Sequence, residues 1–209
     1  MNKKSIVTSI ILFCLCIFGY SQSLEVNSYQ EEIDKFRKGK NIKLMYTESS
    51  PLDESQKKSF KGLIYFPANE AYRVEATLMK DDQPEDIIMK TSTDRTPMYV
   101  RYGELQFILN NKEYKLAAFQ NKKMLDLSAD TTRLFIPFRD ETSGHETYGG
   151  GRYIDCQIPE SGNIVIIDFN MAYNPYCAYN PKYSCVIPPE ENRLSIKIEA
   201  GEKTFGEKH

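Results

Sequence analysis

The stretch LQFILNNKEYKL, residues 105–116, decides the fold class. Apolar residues recur at every second position on both sides of its two central asparagines, at 105, 107 and 109 and again at 114 and 116, as they do in strands that bury one face. Asparagine tolerates the positive φ angles of a tight turn, so the pattern predicts an antiparallel hairpin. We expect Phe107 and Leu109 to face Tyr114 and Leu116 across it.

Further short runs rich in β-branched and aromatic residues surround the hairpin and are separated by turn residues. Strands do not alternate with long helices, which argues against a doubly wound fold. The chain is therefore predicted to be mainly β, an antiparallel β-sandwich or open barrel with a short N-terminal helical segment. The expected strands are Gly62–Phe66, Tyr72–Met79, Asp86–Thr91, Met98–Leu109, Arg133–Phe138, Arg152–Gln157, Ile164–Phe169 and Leu194–Ile198.

The helical segment is expected over Ser28–Lys38. Ser28 is a good N-cap residue, and Glu31 follows it at the spacing of a capping box. Gly39 is expected to end or interrupt the helix. A second, short helical turn is predicted after Asp53, which has the chemistry of an N-cap.

The N-terminus has the organisation of a secretory leader. Lys3 and Lys4 precede the apolar run Ile6–Phe18, which is shorter than the roughly 20 apolar residues that span a bilayer. Gly19 and Ser21 supply the small residues of a cleavage site. We predict a signal peptide over residues 1–22 and a single domain over residues 23–209.

The mature chain has an acidic balance. Without the two leader lysines, 25 basic residues face 29 acidic ones, a net charge of −4. Nucleic acids and anionic membranes favour basic surfaces, so neither is expected as a partner. No integral membrane segment is expected after signal cleavage. The leader contains Cys14 and Cys16. A lipidated cysteine needs small residues before it, but Phe13 and Leu15 precede these two, so lipoprotein anchoring is not expected. The expected localisation is exported, either periplasmic or secreted.

Polar residues, glycines and tyrosines are concentrated between residues 138 and 203. The motifs are Phe138-x-Asp140-x-Thr142, Thr147-Tyr148-x-x-Gly151-Arg152-Tyr153, Asp168-Phe169-Asn170-x-Ala172-Tyr173-Asn174-Pro175, Cys177-Ala178-Tyr179, Pro188-Pro189-x-x-Asn192 and Ala200-Gly201-Glu202-Lys203. In combination they resemble the uncharacterised prokaryotic domain-of-unknown-function family 1684 over nearly all of the mature chain. The resemblance implies one domain, and it implies no activity.

These motifs lie in loops beside strand ends, where binding residues commonly occur. The first hypothesis is therefore an envelope accessory domain that binds an unknown small molecule or envelope partner. Tyrosines supply apolar faces with a polar edge, and the neighbouring charged and amide groups supply hydrogen bonds. The expected ligand-binding residues are Arg152, Asp168, Asn170, Tyr173 and Asn174.

The second hypothesis is a hydrolase-type enzyme that uses carboxylates of the 140–202 region as acid or base. Its weak candidates are Asp140, His145, Asp168 and Glu202. The chain has no Gly-x-Ser-x-Gly motif to provide a serine nucleophile. Whether the protein is an enzyme stays open at this point.

The third hypothesis is a purely structural domain with a loop held by a disulfide. Cys156, Cys177 and Cys185 remain in the mature chain, and an oxidising compartment favours a bridge between two of them. Cys177 and Cys185 lie in one loop-like stretch, so their pairing is predicted, while other pairings and free thiols stay open. The cysteine and histidine spacing fits no zinc site, so no metal is expected, and no cofactor is evident.

Overall fold

The structure, a computed structural model, describes residues 28–206. The predicted signal peptide, residues 1–22, lies outside the described residues. The described helices are α1 (residues 28–46), α2 (Glu54–Ser59) and α3 (Lys122–Asp126). The described strands are β1 (Arg73–Lys80), β2 (Asp86–Ile88), β3 (Met98–Leu109), β4 (Lys112–Asn121), β5 (Arg133–Phe138), β6 (Arg152–Gln157) and β7 (Ile164–Asp168).

These strands form one antiparallel sheet in the order β6-β5-β4-β3-β1-β7, with β2 paired to the start of β3. The sheet curls into a half-barrel, and α1 precedes it in the chain. The prediction of a mainly β fold with an open barrel and an N-terminal helical segment is confirmed. Over residues 28–206, no helix combines the length and the apolar character needed to cross a membrane.

The central hairpin is β3–β4, as its sequence predicts. Asn110 and Asn111 have φ angles of 51° and 60°, the left-handed conformation of a two-residue hairpin turn. Phe107 lies opposite Tyr114 as expected. The expected pairing of Leu109 with Leu116 is wrong, because the two-residue turn places Leu109 directly opposite Lys112.

The inner face of the half-barrel carries the main core. Leu105 of β3, Leu116 of β4, Ile136 of β5 and Ile167 of β7 are fully buried there. Burial of one such side chain contributes roughly 1.5–3 kcal/mol, so this face supplies most of the driving force for folding. Cys156 of β6 belongs to the same core as a buried free thiol.

A β-bulge turns the start of β3 towards the opposite face of the sheet. The register shifts between Arg101 and Gly103, so Tyr99 faces away from the core that contains Leu105. Gly103 is required at this position, because a Cβ atom there would collide with the backbone of Met79. The outer face consequently gains a second aromatic cluster.

Two predicted strands are not strands in the structure. Residues 62–66 form only a single bridge, between Tyr65 and Glu202. Residues 194–198 alternate between buried and exposed positions, as predicted, but their backbone does not join a strand ladder. Their backbone shares only isolated hydrogen bonds with residues 139–141, such as Leu194 N–H to the carbonyl of Arg139. Side chains bind Ile198: Asp140 accepts its N–H, and Arg152 donates to its carbonyl.

Helix α1 is longer than its sequence predicts. It continues through Gly39 to residue 46, because the apolar face that begins with Ile33 extends to the buried Leu44. A side chain at Gly39 would meet no atom within 4 Å, so the glycine sits at an open position of the helix. The predicted cap at Asp53 is confirmed, since its carboxylate accepts the N–H of Gln56 at the start of α2.

Candidate functional site

Arg152 lies at the centre of a buried polar network. Its side chain is completely buried, and Nη2 donates to Asp140 Oδ1 at 3.3 Å and to the carbonyl oxygen of Ile198 at 3.0 Å. Nη1 donates to the carbonyl oxygen of Ala200. Arg152 thus fastens the 198–200 segment to β6.

The Asp140 carboxylate is saturated by contacts within the same network. Its Oδ2 accepts the hydroxyl of Thr142 at 2.7 Å and the N–H of Ile198 at 2.8 Å. The Arg152 guanidinium reaches the other oxygen. A carboxylate with both oxygens occupied by internal donors supports the local loop fold.

Asp168 and Asn170 hold α1 and the loop before β1 against the end of β7. Tyr29 of α1 donates its hydroxyl to Asp168 at 3.0–3.1 Å. Asn170 exchanges two hydrogen bonds with the backbone of Asn69, each 2.9 Å long. Both residues therefore connect distant parts of the chain.

Glu202 is the third buried carboxylate. Asn174 donates to its two oxygens through the backbone N–H and the side-chain amide, at 3.1 Å and 2.8 Å, and Tyr179 donates its hydroxyl at 2.5 Å. Burial raises the pKa of Glu202 to about 7, although these donors oppose the shift.

The four catalytic candidates do not assemble into one site. Asp140, Asp168 and Glu202 have separate sets of hydrogen-bond partners, and all three are buried. His145 is exposed in the turn that precedes Glu146. The hydrogen bonds of the described residues therefore bring no two of these four side chains into direct contact.

The outer face of the sheet carries an open cleft of about 260 Å³ with aromatic walls. Phe135 stacks on Tyr99 with ring centres 5.4 Å apart, and Tyr153 packs edge-on against both Phe135 and Tyr173. We call this the tyrosine cleft. Its aromatic lining comprises Tyr99, Phe135, Tyr153, Tyr173, Tyr176 and Tyr183.

A groove of about 550 Å³ adjoins this cleft at Tyr173 and runs between α1 and the ends of β5 and β6. We call it the lysine groove. Its charged lining comprises Glu32, Lys35, Lys40, Lys43, Arg133 and Asp155. Lys35, Lys40 and Lys43 all belong to α1 and line this groove, and no ion pair within residues 28–206 reaches any of them within 4.0 Å.

Lys40 joins the two spaces. Its Nζ lies 3.6 Å from the centre of the Tyr173 ring, a cation–π contact. Partial burial lowers the pKa of Lys40, while the Glu202 carboxylate opposes that shift. The Tyr173 hydroxyl donates to Asp155 at 2.9 Å, which holds the ring between the cleft and the groove.

An inner cavity of about 50 Å³ lies next to both spaces and is lined by Lys40, Lys43, Asn174, Tyr176 and Tyr179, among others. Asn174 is 1% exposed, and its Oδ1 atom accepts no hydrogen bond from the residues the structure describes. The amide nitrogen of the same side chain is held by Glu202, which fixes the orientation of the oxygen. A buried acceptor without a donor is costly in a folded protein, so this atom marks an incomplete polar site.

A larger hollow, of about 700 Å³, lies elsewhere, at the β3–β4 hairpin. Its polar walls are surface side chains, and two of them, Lys115 and Glu104, pair at 3.1 Å. It contains one aromatic pair, Phe107 with Tyr114, and that pair belongs to the edge of the core. We therefore place the candidate site at the tyrosine cleft and the lysine groove.

The two loop cysteines adjoin the tyrosine cleft as free thiols. The N–H of Cys177 donates to Cys185 Sγ at 3.0 Å, and the Tyr148 hydroxyl donates to Cys177 Sγ at 3.6 Å. The hydrogen bond from the Cys185 thiol, with a further contribution from Tyr148, lowers the pKa of Cys177 to about 6. The predicted disulfide stays a prediction. Between residues 28 and 206, no three His, Cys, Asp or Glu side chains are grouped to hold a metal ion.

Comparison with known protein families matches residues 58–203 to a family described as proteins of unknown function, DUF1684. The chain belongs to this family. It is also similar to the solution NMR structure of an uncharacterized protein of Haloarcula marismortui, with 34% sequence identity and a TM-score of 0.67. That similarity covers 86% of this chain and 96% of the archaeal one. No curated protein matches the chain.

The resemblance drawn from the sequence motifs is thereby confirmed, and the structure shows what most of the motif residues do in this family member. Of the five expected ligand-binding residues, Tyr173 and Asn174 line the candidate site. Arg152, Asp168 and Asn170 are engaged in internal contacts instead. Whether any of the five binds a ligand stays a prediction.

Sequence reasoning missed the helical side of the site. Lys35, Gly39 and Lys43 are spaced by four residues, which is the periodicity of one helix face, and this signal was available. This spacing was not recognised as one helix face because Gly39 was expected to end or interrupt the helix. Tyr99 and Phe135 carried no comparable signal, because the bulge in β3 decides which face Tyr99 joins.

Proposed function

We propose that this protein is a ligand-binding domain that acts outside the cytoplasm, and that its binding site is the tyrosine cleft with the adjoining lysine groove. The observation that carries the proposal is the position of Tyr173, whose ring forms part of the wall of both spaces. A concave site with aromatic walls and a few convergent polar groups is typical of small-molecule binding.

Binding is better supported than catalysis because of how the polar groups are used. The carboxylates of Asp140, Asp168 and Glu202 are occupied by internal donors. By contrast, the cleft offers half-exposed ring faces, and the adjoining groove offers lysines that lack ion-pair partners in the described chain. Such groups favour association with a ligand, and they include no paired acid and base.

Action outside the cytoplasm is proposed from the sequence. Lys3, Lys4 and the apolar run after them have the organisation of a secretory leader. The two loop cysteines fit an oxidising compartment, where a bridge between them would persist.

The proposal is tested by titrating the protein with 2-naphthamide, a neutral flat aromatic. The chain contains no tryptophan, so naphthalene fluorescence reports the titration with little protein background. We expect saturable binding that weakens about five- to tenfold in Tyr176→Ala, because the half-exposed Tyr176 ring offers a stacking face worth roughly 1 kcal/mol.

The matched control is Tyr46→Ala. Tyr46 is 78% exposed at the end of α1 and lines none of the three spaces, so this variant should bind 2-naphthamide as the wild type does. Absence of saturable binding, or equal affinity in the wild type and Tyr176→Ala, would contradict the proposal.

A further inference from the structure

We infer that the tyrosine cleft and the lysine groove together take a small aromatic anion, a molecule with a flat ring system and one carboxylate, sulfonate or phosphate group. This inference rests on the proposed function and adds the chemical class of the ligand. It follows from the shape of the cleft, the charge of the groove and the place where the two meet.

The shape of the cleft selects for a flat molecule. Its walls are ring faces and edges, with Tyr153 edge-on to Tyr173 and Tyr176 edge-on to Tyr183. Pro175 and Val186 complete the apolar lining. A volume of about 260 Å³ accommodates a bicyclic ring but not a folded peptide segment.

The charge of the groove selects for an anion. Its four cationic side chains face two carboxylates, those of Glu32 and Asp155. Arg133 is already engaged, with Asp130 at 2.8 Å and Asp155 at 4.0 Å. The positive charge left over therefore belongs to the lysines of α1, on the side that faces Tyr173.

The flat cleft and the positively charged groove adjoin each other at Lys40 and Tyr173. Lys40 lies on the face of Tyr173, so an anionic group beside Lys40 places its ring system in the adjoining tyrosine cleft. The buried Glu202 lies within electrostatic reach of Lys40. Its charge compensates Lys40 in part and leaves Lys43, which lines both the groove and the inner cavity, as the second cation for a ligand.

The unpartnered Oδ1 atom of Asn174 is an independent sign that this place is built for a ligand. It is buried beside the same two lysines, and its orientation is fixed by the bond from its amide nitrogen to Glu202. A bound molecule that carries an O–H or N–H group in addition to its anionic group would satisfy it. A stretch of surface lysines alone would present no such buried acceptor.

The test compares three naphthalenes that share one ring system and carry a negative, a neutral and a positive substituent: 2-naphthoate, 2-naphthamide and 2-naphthamidine. We expect the wild-type protein to bind naphthoate at least tenfold more tightly than the neutral amide, and the cationic amidine most weakly. The preference should shrink at about 0.5 M salt, where charge interactions are screened within a few ångströms. The double variant Lys40→Gln/Lys43→Gln should lose the preference for naphthoate and still bind the amide.

Lys38→Gln is the matched control, because Lys38 is an exposed lysine of the same helix that does not line the groove. It should keep the wild-type preference for naphthoate. Equal affinity for the three compounds, or tightest binding of the amidine, would overturn the anion inference while leaving the proposed binding site intact. Failure of all three compounds to bind would overturn both.

Discussion

The buried network around Arg152 and the tyrosine cleft lie on opposite faces of the same sheet and use polar groups in opposite ways. In the network, Asp140 and Arg152 are enclosed and hydrogen-bonded to the chain itself. In the cleft, ring faces remain open, and in the adjoining lysine groove the lysines of α1 lack ion-pair partners within the described residues. The motif-rich region 138–203 therefore supplies both this internal support and much of the cleft, whereas the lysines come from α1.

The largest effect is expected from breaking the network at its centre. Arg152→Met removes the cation that compensates the buried Asp140 carboxylate, so the free energy of unfolding should fall by about 3–5 kcal/mol. Urea denaturation followed by circular dichroism measures it. Arg193→Met is the matched control, since Arg193 is an exposed arginine paired with Glu190 at 3.3 Å and should change stability by less than about 1 kcal/mol. A small loss in Arg152→Met would mean that the network does not support the fold.

The second effect is a dependence of stability on pH, which comes from the buried Glu202 carboxylate. The pKa of Glu202 is raised from 4.5 to about 7 in the folded protein, so the unfolded chain ionises this group first. Its contribution to stability is complete below pH 4.5 and is lost as the pH rises to 7, roughly 3 kcal/mol in all.

Urea denaturation at several pH values between 4.5 and 8 measures this slope. Glu202→Gln should flatten it, because glutamine does not titrate. Lys203→Gln changes the neighbouring charge without touching the buried carboxylate and should retain the slope. An unchanged slope in Glu202→Gln would show that Glu202 keeps its ordinary pKa in the folded protein.

The third effect concerns the loop that adjoins the cleft. Mild oxidation should join Cys177 and Cys185, lower the intact mass by about 2 Da and add roughly 2–3 kcal/mol to the free energy of unfolding, because the bridge closes a short loop. The intact mass of the exported protein also tests whether the predicted leader has been removed. Cys185→Ser should abolish the mass change, and Cys156→Ser should preserve it. Oxidation that leaves the mass unchanged would contradict the predicted bridge.

The reduced form gives a further check on the same cysteines. The pKa of Cys177 is lowered to about 6 by hydrogen bonds, whereas burial raises that of Cys156 to about 12. The thiolate is the reactive form, so Cys177 should be the first site of iodoacetamide labelling at pH 7. Faster labelling of Cys156 would show that the loop thiol is not activated.

The sequence predicted the features that depend on neighbouring residues better than those that depend on contacts between distant segments. β3, β5 and β6 begin and end at the predicted residues, because alternation and turn chemistry act within a few positions. The predicted strand at 194–198 is wrong although its alternation is real, because its backbone shares only isolated hydrogen bonds with residues 139–141 and distant side chains bind Ile198.

The sequence by itself determined the fold class, the central hairpin and the family, since these depend on local patterns and on motif identity. Only the tertiary structure decided that Arg152 is an internal support and that Lys40 meets Tyr173 from 133 positions away. The physical reason is that burial and charge compensation depend on which distant segments pack together. The bulge in β3 likewise turns Tyr99 to the outer face, where it joins the aromatic wall of the cleft.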